Sequence, residues 1–185
     1  MPPIPDQQLE ERILTASRRL WRKHGERGLT LRGVARAAGT TTPTVYKRFR
    51  NREAIRLALA LRFREELFAV LFAASSVKEI PRQFLAFAEA NPHEYALLHL
   101  SWAQLFAPGR HRPGKVWASA QMAARFGGPP ETYGEVVDAL FLLCHGTATL
   151  LTIGKDPATN EEMRKACLDT CDRIIEHIEI FRSGE

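Results

Sequence analysis

The sequence offers no alternating apolar–polar strand run and no hairpin dipeptide set between two such runs, which argues against a sheet. It has no phosphate loop, no Gly-rich dinucleotide fingerprint and no HExxH, so the common nucleotide and zinc-protease chemistries lack their residues. Neither repeats nor low-complexity segments are present. The opening residues, MPPIPDQQ, lack the charged-then-apolar order of a secretory signal. No segment reads as a run of the ~20 apolar residues that cross a bilayer; the densest, Ala139 to Cys144, is soon interrupted by His145, Gly146 and Thr147. A cytoplasmic location is expected, with the three cysteines as reduced thiols and no membrane partner.

What is present is helix, and charge placed unevenly. The chain has 185 residues and a net charge of +5, enough length for one or two small domains with a core. Residues 1–64 hold 15 Lys/Arg against 5 Asp/Glu, and residues 65–185 hold 11 against 16. A basic head on an acidic body points to a polyanion that meets the head alone.

Residues 29 to 53, LTLRGVARAAGTTTPTVYKRFRNRE, read as two short helices around a tight turn. Thr30 can cap the first, with Leu31, Val34 and Ala35 as its apolar face, and Gly39 can close it in a left-handed conformation. Thr41 can cap the second, and Pro43 falls in its first turn, where a missing N–H costs nothing. Val45 and Phe49, at i and i+4, form its buried face, leaving Thr42, Thr44, Tyr46, Lys47 and Arg48 outside. A helix-turn-helix lays the start of its second helix in the major groove and uses flanking groups on phosphates.

With RILTASRRLWRKHG (Arg12 to Gly25) before it and NREAI (Asn51 to Ile55) after it, this stretch resembles the TetR family of bacterial transcription regulators. The family ends its reading helix with a tyrosine, a basic or histidine residue and a phenylalanine, and Tyr46, Lys47, Arg48 and Phe49 follow that ending. Two positions depart from it: Gly33 replaces a polar helix former, and Arg52 stands where lysine is usual. The resemblance implies phosphate contacts from Thr30, Thr41, Tyr46, Lys47 and Arg52, and base-edge contacts from Thr42, Pro43 and Thr44. A threonine brings a methyl for a thymine methyl and a hydroxyl for either side of a base pair. Arg48 adds guanine recognition if it turns into the groove.

The expected fold is all-α. A three-helix head over residues 6–52 binds DNA, and a helical body over 53–185 regulates and dimerises, about nine helices in all. Asp6 is read as the cap of a first helix carrying Leu9, Ile13, Leu14, Ala16, Leu20 and Trp21 and ending at Gly25. A fourth runs from Arg52 to about Ala74 with Leu57, Leu61, Leu67, Phe68 and Leu71 as its apolar surface. Further helices are expected over 78–90, 91–106, 115–126, 131–153 and, from a capping box at Thr159-Asn160-Glu161-Glu162, to about Phe181.

The last two helices read as an association surface. Met163, Cys167, Cys171, Ile174, Ile178 and Phe181 recur by fours and threes. The helix before is apolar on two sides, with Val136, Leu140, Leu143 and Leu151 on one, so a partner chain is expected against it, and Gly146 suggests a close backbone approach. FAEANPHEYALLHL and FLLCHGTATLL are also similar to a TetR C-terminal type with a tryptophan four residues before His-Gly; here Phe141 precedes His145-Gly146. The family resemblance further implies an apolar ligand cavity in the body. Trp102, Phe106, Trp117, Met122, Phe126 and Phe141 are candidate walls, with His99, His145 and Thr149 as polar anchors.

Enzyme chemistry finds little support. Cys144 and His145 are adjacent and point about 100° apart on a helix, so they cannot pair as nucleophile and base. Cys167 and Cys171 share a face that can hold a soft metal or sense oxidation, but the apolar seam explains both without one. No cofactor and no metal is expected. The sequence supports a homodimeric repressor that binds an inverted-repeat operator in double-stranded DNA and is released by a small, largely apolar ligand. The alternatives are an inducer-independent DNA-binding or nucleoid-associated protein and a small helical Cys/His enzyme.

Overall fold

The computed structural model describes residues 7–101, 105, 112–154 and 156–181. Among them are nine α-helices, three short 3-10 turns and no strand: α1 (Gln7–His24), α2 (Leu31–Ala37), α3 (Thr42–Arg48), α4 (Arg52–Phe72), α5 (Glu79–Ala90), α6 (Pro92–Leu100), α7 (Pro113–Phe126), α8 (Gly134–Ile153) and α9 (Pro157–Glu176). The chain divides into two compact units. One joins Met1–Glu65 with His93–Ala107; the other joins Glu66–Pro92 with Pro108–Glu185. The boundary thus falls inside α4, and α6 belongs with the helix-turn-helix rather than with the body.

In the first unit α1 buries Ile13, Leu14, Ala16, Ser17 and Trp21. The Ser17 hydroxyl donates to the Ile13 carbonyl, which lets it sit fully buried. Gly25 takes φ +59 and stops α1, a conformation that costs glycine little. Trp21 Nε1 donates to the His93 carbonyl at 2.5 Å, and Arg18 and Arg22 both reach Glu94, at 3.2 and 3.0 Å. Glu94 is 1 % exposed, and through these two arginines it fastens α6 to α1. A carboxylate so deeply buried is tolerated only because two guanidiniums meet it.

The buried face of α4 in this unit is Ile55, Leu59, Ala60 and Phe63, whereas Leu57 and Leu61 are half-buried. The expected face is therefore turned in this half of the helix, whereas Leu67 and Leu71 farther along it are buried as expected. AIRLALALRF is apolar on nearly all sides, and only the neighbouring helices choose among them.

In the second unit α8 packs against α5, α7 and α9, and α9 also meets α5. It buries Val136, Val137, Leu140, Cys144, Ala148 and Leu151. By length and hydropathy the span Pro130–Ile153 could cross a membrane, which corrects the expectation that no segment comes near that length. Its packing on three helices accounts for that apolar character as the central helix of a bundle. Ion pairs line the rims. Arg82 reaches Asp172 at 2.5 Å, Arg164 reaches Glu89 at 2.6 Å and Lys78 reaches Glu176 at 2.5 Å, while Asp138 receives Arg112 at 2.7 Å and Lys115 at 2.6 Å.

Two helix ends differ from expectation. α9 begins at Pro157, capped by Asp156, which accepts from the Thr159 N–H at 2.8 Å and from its hydroxyl. Asp-Pro is a cap followed by an N1 proline, and it starts the helix before the Thr159 box can. Asn160 is thereby released to donate toward the Leu151 and Gly154 carbonyls at the end of α8. α9 ends at Glu176, not Phe181; a 3-10 turn over Ile178–Ile180 follows, and Phe181 is exposed. Residues 130–133 likewise form a 3-10 turn, with Tyr133 buried and its hydroxyl donating to the Gly127 carbonyl at 2.6 Å. The expected cap Asp6 lies outside the described residues.

Candidate nucleic-acid interface

Each part of the reading head is locally enforced. Thr30 Oγ1 accepts from the Gly33 N–H at 3.1 Å and caps α2. The departure at position 33 has a steric reason here, since a Cβ on Gly33 would lie 2.8 Å from that same oxygen. Gly39, at φ +65, turns the chain, and the Thr40 N–H donates to the Ala35 carbonyl at 2.9 Å. Thr41 caps α3 by accepting from the Thr44 N–H at 3.3 Å, and the Thr41 and Thr44 hydroxyls are 2.8 Å apart. Val45 and Phe49 are buried, so the opposite side of α3 faces out.

On that side Pro43, Tyr46 and Lys47 are exposed, and Thr42, Thr44 and Arg48 are half-buried. Tyr46 shows 54 % of its surface. Thr30 and Thr41 are exposed as well and border the helix. Arg52 is exposed but not idle; its guanidinium lies 3.5 Å from Glu26 and 3.7 Å from Glu53. Any anion reaching Arg52 would have to compete with these two carboxylates. Asn51 caps α4 through the Ala54 N–H at 2.9 Å and sets where Arg52 emerges.

One basic feature is absent from the motif reading. Thr15, Arg18, Arg19, Arg22 and Lys23 line an open groove of about 400 Å³ on α1. The RRLWRK spacing signals it, because residues 18, 19, 22 and 23 fall on one side of a helix.

The candidate ligand residues scatter. His99 sits in the first unit, with its ring edge-on to Tyr95 at 5.4 Å, and burial lowers its pKa. Trp102 and Phe106 lie outside the described residues. Trp117 packs on Phe72 at 4.8 Å, Phe126 lies beneath Arg125, and Met122 is buried. Phe141, His145 and Thr149 are brought together on one face of α8. Phe141 meets Phe84 edge-on at 6.1 Å, the His145 ring stacks on Phe141 at 5.5 Å, and Thr149 donates to the His145 carbonyl.

The candidate interface residues fall mostly inside their own chain. Val136, Leu140, Leu151, Cys167, Cys171 and Ile178 are buried, and Leu143, Met163 and Ile174 are half-buried; Phe181 is exposed. The apolar surface that α8 leaves open is a different stripe, Leu142, Leu150 and Ile153, at 61 %, 50 % and 68 % exposure. Gly146 lies exposed between them, and a Cβ there would meet nothing within 4 Å.

The cysteines converge. Cys144 of α8 joins Cys167 and Cys171 of α9, with all three sulfurs within 4.8 Å of one another. Cys144 and Cys171 are 3.8 Å apart. Cys167 is drawn well below the ordinary thiol range by hydrogen bonds from Cys144 and Cys171, helped by Thr147. Its hydrogen bond to Cys167, then to Cys171, and then burial push Cys144 up.

Residues 13–59 match the model of the family described as bacterial regulatory proteins, tetR family. No curated protein matches the sequence significantly. Two solved structures share the fold along nearly the whole chain. A TetR variant from Acinetobacter baumannii AYE in complex with minocycline is 18 % identical, with a TM-score of 0.67 over 93 % of this chain and 97 % of that one. A TetR-family transcriptional regulator from Haemophilus influenzae RD is 19 % identical, with a TM-score of 0.56 over 90 % and 98 %. Residues 13–59 thus carry a helix-turn-helix of the tetR family type, and the all-helical chain shares the fold of these regulators.

Proposed function

We propose that the protein is a repressor that binds an inverted-repeat operator as a homodimer and is released by a small, largely apolar ligand. The observation that carries the reading is the head. A doubly capped helix-turn-helix presents Thr42, Pro43, Thr44, Tyr46 and Lys47 on one outward side, within a segment of net charge +10. Such a surface positions itself on phosphates and reads bases with the start of α3.

Dimerisation rests on the open stripe of α8. Leu142, Gly146, Leu150 and Ile153 follow helical spacing, and a glycine with empty space over it admits another backbone. A two-fold pair of heads requires a two-fold site. For the ligand, Phe141, His145 and Thr149 give an aromatic and polar face on α8, and a structure of the same fold holds minocycline, which supports a body able to receive a small molecule. Release is a population shift, in which ligand prefers a body shape whose heads no longer match successive grooves. A protein that binds operator DNA in this way is expected to act in the cytoplasm.

Selection of bound sequences from a random DNA pool tests the reading. An inverted repeat whose affinity falls steeply with salt is expected, because phosphate contacts release counterions. An asymmetric site, or affinity indifferent to ionic strength, would sink it.

A further inference from the structure

We propose that Cys144, Cys167 and Cys171 form a three-thiolate site for a trivalent, thiophilic metalloid of the arsenite type. Three sulfurs from two helices meet within 4.8 Å, and the residues are 4 %, 3 % and 0 % exposed. Cys167 and Cys171 are one helical turn apart on α9, and Cys144 closes the triangle from α8. Sulfur donors select soft ions and disfavour magnesium or calcium. Among the described residues no fourth Cys, His, Asp or Glu joins the group. That count suits a three-coordinate centre and not the closed four-ligand shell of structural zinc.

Charge chooses within the soft ions. A buried site tolerates little net charge. Three thiolates carry −3, so a monovalent ion leaves −2, a divalent ion leaves −1, and a trivalent centre leaves none. The exchange also balances without a redox partner. Arsenous acid, As(OH)3, reacts with three thiols to give As(SR)3 and three waters. Three As–O and three S–H bonds break, and three As–S and three O–H bonds into those waters form. A neutral species enters and a neutral centre remains. The site belongs to the second unit and does not depend on the DNA-binding reading.

The test is titration of the reduced full-length chain with sodium arsenite. One arsenic per chain is expected, with a mass gain of one arsenic less three hydrogens. Arsenic K-edge absorption should show three sulfur neighbours and no oxygen. Cys144→Ser, Cys167→Ser and Cys171→Ser should each retain an oxygen on arsenic and bind about 10²–10⁴-fold more weakly, the loss of one intramolecular ligation. No binding by wild type, an oxygen in the wild-type shell, or variants that bind as wild type would each overturn the assignment. So would displacement of arsenite by equimolar zinc or copper(I), or inertness to arsenite together with a mapped disulfide within the trio. The wild-type absorption spectrum decides the matter even if a serine variant fails to fold.

Discussion

At the scale of single residues, the head combines two duties in a few side chains. Thr41 and Thr44 are tied to each other, so the Thr44 hydroxyl is partly committed and its methyl is the part left for a base edge. Tyr46 and Lys47 carry no such commitment to capping. Lys47→Ala should therefore weaken binding to all sequences alike and lower the salt slope by about 1, read by fluorescence anisotropy at several salt concentrations. A sequence-dependent loss would reassign Lys47 to a base. Position 33 makes a second residue-scale prediction. Glycine costs a helix about 1 kcal/mol relative to alanine, yet a Cβ here crowds the Thr30 cap, itself worth about 1 kcal/mol. Gly33→Ala should thus give no gain alone but stabilise a Thr30→Ala background by about 1 kcal/mol in urea titration. Equal effects in both backgrounds would show that the crowding is not felt.

At the scale of elements, α8 separates core from open surface along one helix. Leu142→Glu with Leu150→Glu should leave the helical signal and melting temperature near wild type while light scattering falls to the monomer mass, because both positions are exposed in the chain. Ile178→Asp should instead unfold the chain, since it places a charge in its core. If the double variant stays dimeric, the interface lies elsewhere. The α5–α9 rim carries the pH prediction. The hydrogen bond from Arg82 holds the Asp172 carboxyl below its ordinary value. A depressed folded pKa stabilises above the unfolded value of about 3.9 and loses that contribution as pH falls through the lower folded value. Asp172→Asn should accordingly flatten the fall in melting temperature below about pH 4 and cost little more than a surface pair at neutral pH. An unchanged acid limb would mean that the pair contributes nothing.

At the scale of the whole molecule, the proposed mechanism requires a small molecule in the body to change operator affinity, and that coupling is testable. Thr149→Phe fills the face shared with Phe141 and His145 while leaving α3 untouched. Operator affinity should persist and the response to an inducing small molecule should vanish. A variant released at the same ligand concentration as wild type would move the pocket. The all-helical class, the cap at Thr30, the turn at Gly39, the Thr41 cap and the buried pair Val45 and Phe49 were legible in the sequence, because each rests on neighbours within four residues. Less legible were the face of α4, where leucine on every side left periodicity without a preference, and the start of α9, where Asp156-Pro157 outranks the Thr159 box. Along the chain Cys144 has only His145 beside it as a reactive neighbour. Its approach to Cys167 and Cys171 depends on how α8 crosses α9, and no local pattern encodes that crossing.

By itself, then, the chain's order of residues determined the head. Capping, a left-handed glycine and an i, i+4 apolar pair are short-range requirements that few other residues meet. Tertiary structure alone decided which apolar stripe of α8 enters the core and which stays open. It also decided that Glu94 is held by Arg18 and Arg22, and that three cysteines distant in sequence share one site. Those outcomes belong to contacts between helices, where burial is allotted by geometry and a residue's partner can lie 23 to 76 positions away.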